Sequence, residues 1–241
     1  MRAAAYCATR NLYEDMMTAA KSLLMNSRVD KIYFIIEDDV FPYKLPDCIE
    51  VISVKDQKIF PPGGPNYKNS WTYMVLMRAA LSKILPPEVD KVLSLDIDTV
   101  VDNNIDELWN IDLSKYYLAA VKEPYKSSGS RQYINFGVVL LNLDLLRSTQ
   151  KDDEIIYSLN HYKHFANEQD CFNDKCQGKM YFLPGEYNAS NFTEKPKGEV
   201  KIMHYAGVKY WNNFSLVKKY RGIPWEAIEI VRYARYHNSD L

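Results

Sequence analysis

Lys91-Val92-Leu93-Ser94-Leu95-Asp96-Ile97-Asp98-Thr99-Val100-Val101 is the stretch whose reading decides the fold. Lys91–Leu95 is short, apolar and β-prone, the composition of a strand buried in a parallel sheet. Asp96 and Asp98 then fall at or just past the carboxyl end of that strand, where open α/β sheets bind their ligands. Carboxylates at i and i+2 can be aimed into one cleft. Hard oxygen donors at that spacing suit Mg²⁺ or Mn²⁺ shared with a diphosphate. An Asx-rich turn closing a core strand accounts for the same residues without any ligand.

Working outward, strand patterns occupy Ala3–Cys7, Lys31–Glu37 and Ile49–Val54, and a helical spacing runs over Glu14–Met25. Phe60-Pro61-Pro62-Gly63-Gly64-Pro65 excludes regular structure. Trp71–Leu85 reads as one long helix stopped by Pro86-Pro87. Strands alternating with helices predict βαβ units, a mostly parallel sheet and right-handed crossovers. The second half is more mixed. Strands are expected at Tyr117–Val121, Phe136–Leu141, Met180–Leu183 and Lys201–Tyr205, and helices at Glu154–Asn160, Gln169–Cys176 and Trp225–Tyr236.

The chain has 241 residues, 47% hydrophobic and 25% charged, which fits one large domain, or one with a small appendage. A formal net charge of −1 gives no electrostatic footprint for nucleic acid. No Cys-x-x-Cys pair occurs among the four cysteines, so reduced thiols and a cytoplasmic location are expected. No apolar run approaches the roughly 18 residues of a membrane span.

Ala8-Thr9-Arg10-Asn11-Leu12-Tyr13, Asp96-Ile97-Asp98, Tyr133-Ile134-Asn135-Phe136-Gly137, Asn167-Glu168-Gln169-Asp170 and His204-Tyr205-Ala206-Gly207-Val208-Lys209, in that order along the chain, resemble glycosyltransferase family 8, the retaining enzymes that include glycogenin and bacterial lipopolysaccharide galactosyl- and glucosyltransferases. The resemblance runs from about Ala5 to Trp211. It implies a GT-A type nucleotide-sugar-binding fold over residues 1–217, with a mostly parallel central sheet flanked by helices and a smaller mixed acceptor-side region. Residues 218–241 form a basic and aromatic helical tail. It also implies a metal-dependent hexosyltransferase that takes UDP-glucose or UDP-galactose as donor and a glycan, glycolipid or glycoprotein as acceptor.

The resemblance assigns roles residue by residue. Ala8-Thr9-Arg10-Asn11-Leu12-Tyr13 would hold the uridine, with Ala8 in the binding loop, Thr9 and Asn11 contacting base and ribose and Tyr13 stacked on uracil. Arg78 would reach the nucleotide and metal site, a task suited to its planar fork of donors; a solvated arginine on an amphipathic helix is the plain alternative. Asp96 and Asp98, joined by Ile97, would ligate Mn²⁺ or Mg²⁺ together with His204 of His204-Tyr205-Ala206-Gly207-Val208-Lys209-Tyr210-Trp211. Gly207 would bring backbone close to the diphosphate, and Lys209 would place its charge on the departing β-phosphate. The chain departs from several relatives here, which have one more residue between the Gly and the Lys. In Tyr133-Ile134-Asn135-Phe136-Gly137, Asn135 would face the donor sugar, and Phe136 replaces a small residue. In Asn167-Glu168-Gln169-Asp170, Glu168 replaces the usual Asp and Gln169 would sit at the anomeric carbon, while Asp170 serves a helix N-terminus. Asn142 reads as a strand-end turn.

Three other readings stay open at this level: a catalytically inactive nucleotide-sugar-binding relative, a sugar nucleotidyltransferase, and glycogenin-like self-glucosylation on a tyrosine. For the 218–241 tail, contact with the inner face of a membrane stands beside ordinary packing.

Overall fold

In the computed structural model, residues 1–69 and 71–237 are described. The strands are β1 (Ala3–Ala8), β2 (Lys31–Ile36), β3 (Ile49–Ser53), β4 (Lys91–Leu95), β5 (Thr99–Val101), β6 (Leu118–Lys122), β7 (Ile134–Asn142), β8 (Met180–Leu183) and β9 (Ile202–His204). Seven form one sheet in the order β3-β2-β1-β4-β7-β6-β8. The pairs β1–β2, β2–β3, β1–β4 and β6–β8 are parallel, and β7 runs antiparallel to both its neighbours, β4 and β6. This is the mostly parallel sheet the sequence implies. The order reverses at β1, with β2 on one side and β4 on the other. The carboxyl ends of β1 and β4 therefore open a crevice at a topological switch point.

Alternation along the strands fills two cores. Ala3 and Ala5 of β1 face Met77, Leu81, Leu159 and Phe172, whereas Ala4, Tyr6 and Ala8 face Met16, Leu23 and Leu24 of the helix Tyr13–Asn26. Alanines on β1 let helices approach closely from both sides, and the strand is buried apart from Cys7.

The expected Trp71–Leu85 helix starts at Met74 and is divided: α-helical over Met74–Met77, 3₁₀ over Arg78–Ala80 and α-helical again over Leu81–Ile84. The tight turn falls at Arg78, whose side chain is drawn into the site described below. Arg147 holds the far end. Its guanidinium donates to the carbonyls of Ser82 (2.8 Å), Leu85 (3.2 Å), Pro86 (3.3 Å), Pro87 (3.2 Å) and Val89 (2.9 Å). Apart from Pro86, whose carbonyl also accepts from Val89 N–H at 3.0 Å, these are acceptors that the helix end and the two prolines leave unpaired.

Sequence reasoning missed β5, which pairs antiparallel with β9 as a separate two-stranded sheet in which Thr99 faces His204. Asn142 behaves as the turn it was read to be: its Oδ1 accepts from Leu145 N–H at 3.0 Å, capping the helix Leu143–Ser148.

The described part of the 218–241 stretch, residues 218–237, packs on the helix Tyr13–Asn26. Helices Ser215–Arg221 and Trp225–His237 bury Val217, Tyr220 and Ile228. Arg235 donates to the carbonyls of Met25 and Asn26, and Arg232 to those of Val29 and Asp30. Arg235 thus serves acceptors at the C-terminal end of that helix, which has no capping glycine, and Arg232 serves the segment that follows it. The final four residues of this stretch lie outside the described residues.

Replacing Arg147 by Met removes five donated bonds while keeping an aliphatic stem. Urea unfolding is expected to show a loss of about 1–3 kcal/mol, the cost of stranding such acceptors.

Candidate active site

The crevice at the switch point is a cavity of about 560 Å³, within the range of small-molecule sites. Its floor is the Asp96-Ile97-Asp98 turn. Asp96 N–H donates to Gly137 C=O at 2.8 Å, and Thr99 Oγ1 donates to Asp96 C=O at 2.6 Å. The chain then enters β5, whose ladder with β9 carries in a residue more than a hundred positions away. Tyr205 N–H donates to Asp98 C=O at 3.0 Å, and His204 lies opposite Thr99.

His204 Nε2 stands 3.4 Å from Asp98 Oδ1 and 3.5 Å from Asp96 Oδ2. One ligand atom from each of the three residues falls within 4.8 Å of the others. Two carboxylates and an imidazole suit a divalent cation with room left for phosphate oxygens, so the donor set fits the metal expected from sequence. The electrostatics agree. Burial and the neighbouring Asp98 hold the Asp96 carboxyl above the usual carboxylate range, against the pull of Arg78. Burial also disfavours charge on Asp98 and His204. Their mutual attraction outweighs it, lowering the Asp98 carboxyl and raising the His204 imidazole.

The His204 ring is seated on Gly137. A Cβ at residue 137 would lie 2.0 Å from His204 Cε1, so no larger residue fits without moving the imidazole.

Arg78, 4% exposed, ties the floor to the walls. Its guanidinium donates to Asp96 Oδ1 at 2.6 Å, to Ser94 Oγ at 3.0 Å and to Phe136 C=O, and stands 3.5 Å from Glu168 Oε1. It also lies 4.9 Å from the Phe136 ring centroid, a cation–π arrangement. Phe136, the unusual residue of its motif, is thereby a partner of the arginine as well as part of the cavity wall.

Glu168 and Gln169 enter from the first turn of the helix Asn167–Lys175, which opens with Asn167 at φ +48, a conformation asparagine tolerates better than most residues. Burial pushes the Glu168 carboxyl up to about 8 in spite of Arg78. Gln169 Oε1 accepts from Phe136 N–H at 2.9 Å, and its Nε2 lies 3.2 Å from Glu123 Oε1. Asp170 accepts from Ala166 N–H at 2.7 Å and from the Tyr133 hydroxyl, the structural duty expected of it.

Ala8, Thr9, Arg78, Asp96, Ile97, Asp98, Asn135, Glu168, Gln169, His204 and Gly207 all line this one cavity. Three expected residues do not. Tyr13 is 1% exposed, its ring 4.9 Å from Phe41 and its hydroxyl donating to Asp38 at 3.0 Å. The base-stacking face expected of it is therefore buried, because the first turn of its helix faces the core. Asn11 is exposed and accepts from Thr9 Oγ1 at 2.7 Å. Lys209 is exposed with Nζ 4.9 Å from the Tyr210 ring, on a loop with φ +70 at Gly207 and +62 at Tyr210.

The cavity also shows what sequence reasoning passed over. Glu123 and Asn188 are buried beside it, reachable from sequence only through the pairings that place them. Trp71, Phe165 and Phe192 line it while 57%, 93% and 48% exposed.

The mixed seven-stranded sheet flanked by helices, with Asp96, Asp98 and His204 at its switch point, has the GT-A fold of solved glycosyltransferases. Residues 4–215 match the model of glycosyl transferase family 8, and the chain belongs to that family. A Haemophilus influenzae protein with a provisional glycosyltransferase name is 30% identical over a match covering 44% of this chain and 39% of its own length. Among solved structures, the glycosyltransferase GlyE of Streptococcus pneumoniae superposes with a TM-score of 0.71 at 21% identity, over 98% of this chain and 64% of GlyE. The galactosyltransferase LgtC, solved with donor and acceptor sugar analogues, does so at 0.67 and 18% identity, over 94% and 99%. This chain thus spans less than two thirds of the length of GlyE and of the Haemophilus protein. Asp96, Asp98 and His204 could together hold a metal ion. No helix among the described residues is long and apolar enough to cross a membrane.

Two outcomes follow from the geometry. Gly137→Ala is expected to leave the chain folded and abolish Mn²⁺ uptake, measured by titration with the metal. The raised Glu168 carboxyl holds its proton in the folded chain after the unfolded chain has lost it. Its contribution to stability is therefore whole below the ordinary value of 4.5 and lost as pH rises through about 8. Over that interval the wild type is expected to lose stability relative to Glu168→Gln, as followed by denaturant unfolding at several pH values.

Proposed function

We propose that this chain is a retaining, metal-dependent transferase that moves a hexose, glucose or galactose, from its UDP derivative to a hydroxyl of a glycan, glycolipid or glycoprotein. The observation that carries the reading is the convergence of Asp96, Asp98, His204, Arg78, Glu168 and Gln169 on one cavity at the switch point. In this reading a cation cluster for a diphosphate adjoins carboxyl and amide groups for a sugar. The uridine is assigned to the crevice at Ala8 and Thr9, and the hexose to the side of Asn135, Glu168 and Gln169.

Asp96, Asp98 and His204 would hold Mn²⁺ or Mg²⁺, which when bound offsets negative charge on the leaving diphosphate. Arg78 fixes Asp96 in position and balances the two acids nearest it. The bond from the anomeric carbon to the β-phosphate oxygen breaks, and the acceptor oxygen bonds to that carbon on the same face. The acceptor's proton passes to the departing phosphate. Retention by a covalent route needs an ionised carboxylate, and Glu168 is the candidate that motif position offers. Burial disfavours the ionised form of Glu168, which favours the same-face route. Lys209 reaches the β-phosphate in this reading only if the 205–211 loop turns inward from its present course.

Trp71, Phe165 and Phe192 support a glycan acceptor, since aromatic faces exposed at a cavity mouth suit the apolar faces of pyranose rings. The tail gives less support to membrane contact. Arg221, Arg232 and Arg235 are engaged within the fold, and the exposed positions of the last helix include Glu226 and Glu229.

UDP release from a panel of UDP-sugars, with and without Mn²⁺, tests the reading. Turnover of one UDP-hexose that requires the metal and disappears in Asp98→Asn is expected; turnover indifferent to the metal rules the mechanism out. With the donor known, Trp71→Ala and Phe165→Ala are each expected to raise the KM for a glycan acceptor about 2- to 10-fold, equivalent to one aromatic contact of ~0.5–1.5 kcal/mol. UDP affinity, measured by calorimetry, should stay as it was.

A further inference from the structure

Behind His204 lies a buried chain of amides that neither the motifs nor the family match assigns. His204 Nδ1 is 2.8 Å from Asn188 Oδ1, and Asn188 Nδ2 is 2.9 Å from Asn135 Oδ1. Asn135 Nδ2 is 2.7 Å from Glu123 Oε1, and Glu123 Oε2 meets Lys126 Nζ at 3.1 Å. Asn188 is wholly buried, and Asn135 and Glu123 are 6% and 4% exposed.

The direction of these bonds follows from chemistry at one point. Gly137 N–H donates to Asn135 at 2.9 Å, and a backbone N–H can only donate. The Asn135 atom it meets is therefore the carbonyl oxygen, and the other end is the amide nitrogen, which finds the carboxylate acceptor of Glu123. The Asn188 atom facing Asn135 Oδ1 must donate, so it is Nδ2. The atom facing His204 is then Oδ1, an acceptor, and it requires a proton on Nδ1. Amide and imidazole orientations, ordinarily a matter of assignment, are dictated here by a single backbone donor.

We propose that Asn188 is a positioning residue for the cation site: the relay Glu123–Asn135–Asn188, polarised by the Gly137 N–H, keeps the His204 proton on Nδ1 and turns the Nε2 lone pair toward Asp96 and Asp98. Ligating histidines are commonly held this way by an acceptor at their other nitrogen. The backbone supports the placement. Ala189 N–H donates to Ile202 C=O at 2.9 Å and His204 N–H to Ala189 C=O at 3.0 Å, which sets Asn188 alongside β9. Asn135 consequently spends both ends of its amide on the relay, so its part at the cavity wall is to hold His204 as well as to border the sugar side. The inference rests on the metal-site reading given above.

Two measurements test it. Nitrogen-15 NMR at alkaline pH reports which ring nitrogen of His204 carries the proton, with the signal assigned by its absence from His204→Gln. The wild type is expected to show Nδ1–H, and Asn188→Leu to move toward Nε2–H. Mn²⁺ binding in the presence of UDP, followed by electron paramagnetic resonance, is expected to weaken about 10- to 100-fold in Asn188→Leu. In a His204→Gln background the same substitution should change it less than about twofold, because the ring it orients is gone. An Nε2–H tautomer in the wild type overturns the proposal, and that spectrum decides alone should Asn188→Leu fail to fold. Equal weakening with and without His204 also overturns it, marking Asn188 as a merely structural residue. A wild-type chain that takes up no Mn²⁺ overturns the metal-site reading instead, and the nitrogen spectra separate the two failures.

Discussion

A buried guanidinium is the constraint around which the site is arranged. Asp96, Asp98 and Glu168 crowd carboxyl groups at the end of a sheet whose strands are apolar, and burial opposes charge on each. Arg78 meets Asp96 directly and stands 3.5 Å from Glu168. A buried charge is tolerated only when paired and hydrogen-bonded, and Arg78 satisfies this with Ser94, Asp96 and the Phe136 carbonyl together. The tight helical turn at Arg78–Ala80 and the aromatic residue at 136 belong to the same arrangement. The helix before β4, the end of β4, the start of β7 and the helix Asn167–Lys175 are all joined through this one side chain.

The second condition is delivery of a distant imidazole. Three residues of β5 and three of β9 form a sheet too small to stand alone. It is held by the main sheet beneath it and by the tail helices beside it, where Val217 and Tyr220 cover Val100. Tyr220 hydroxyl donates to Asp102 at 2.6 Å and accepts from Asn26 at 2.8 Å. The C-terminal stretch therefore supports, through β5, the turn that carries Asp96 and Asp98. Packing of the tail and geometry of the cation cluster are mechanically linked.

Much of this was legible in the chain. The strands before β5 were readable because parallel strands buried on both faces are short runs of β-branched and aliphatic residues. Asp96, Asp98, His204, Glu168 and Gln169 were recognisable by motif order, and the structure brings them onto one cavity. Tyr13 and Lys209 were harder. A motif gives the order of residues but not whether an aromatic ring turns to solvent or to the core, nor how a loop with two left-handed residues runs. The long helix was read as unbroken because helical spacing is blind to a local 3₁₀ turn made for a charged side chain. The strand β5 escaped because three residues carry too little pattern.

Local composition alone determined the alternation of strands and helices, the strand end at Leu95 and the pair of acids just beyond it, since periodicity and turn chemistry act over a few residues. Family likeness supplied the partners. Only the tertiary structure decided that Arg78 is a buried counter-charge and that Gly137 is the seat of the His204 ring. It also decided that Asn188, which in sequence is no more than part of an Asn-x-Ser triplet, stands behind the imidazole. Those roles depend on contacts between residues 16 to 90 positions apart, and such contacts exist only once sheet register and strand order have been set.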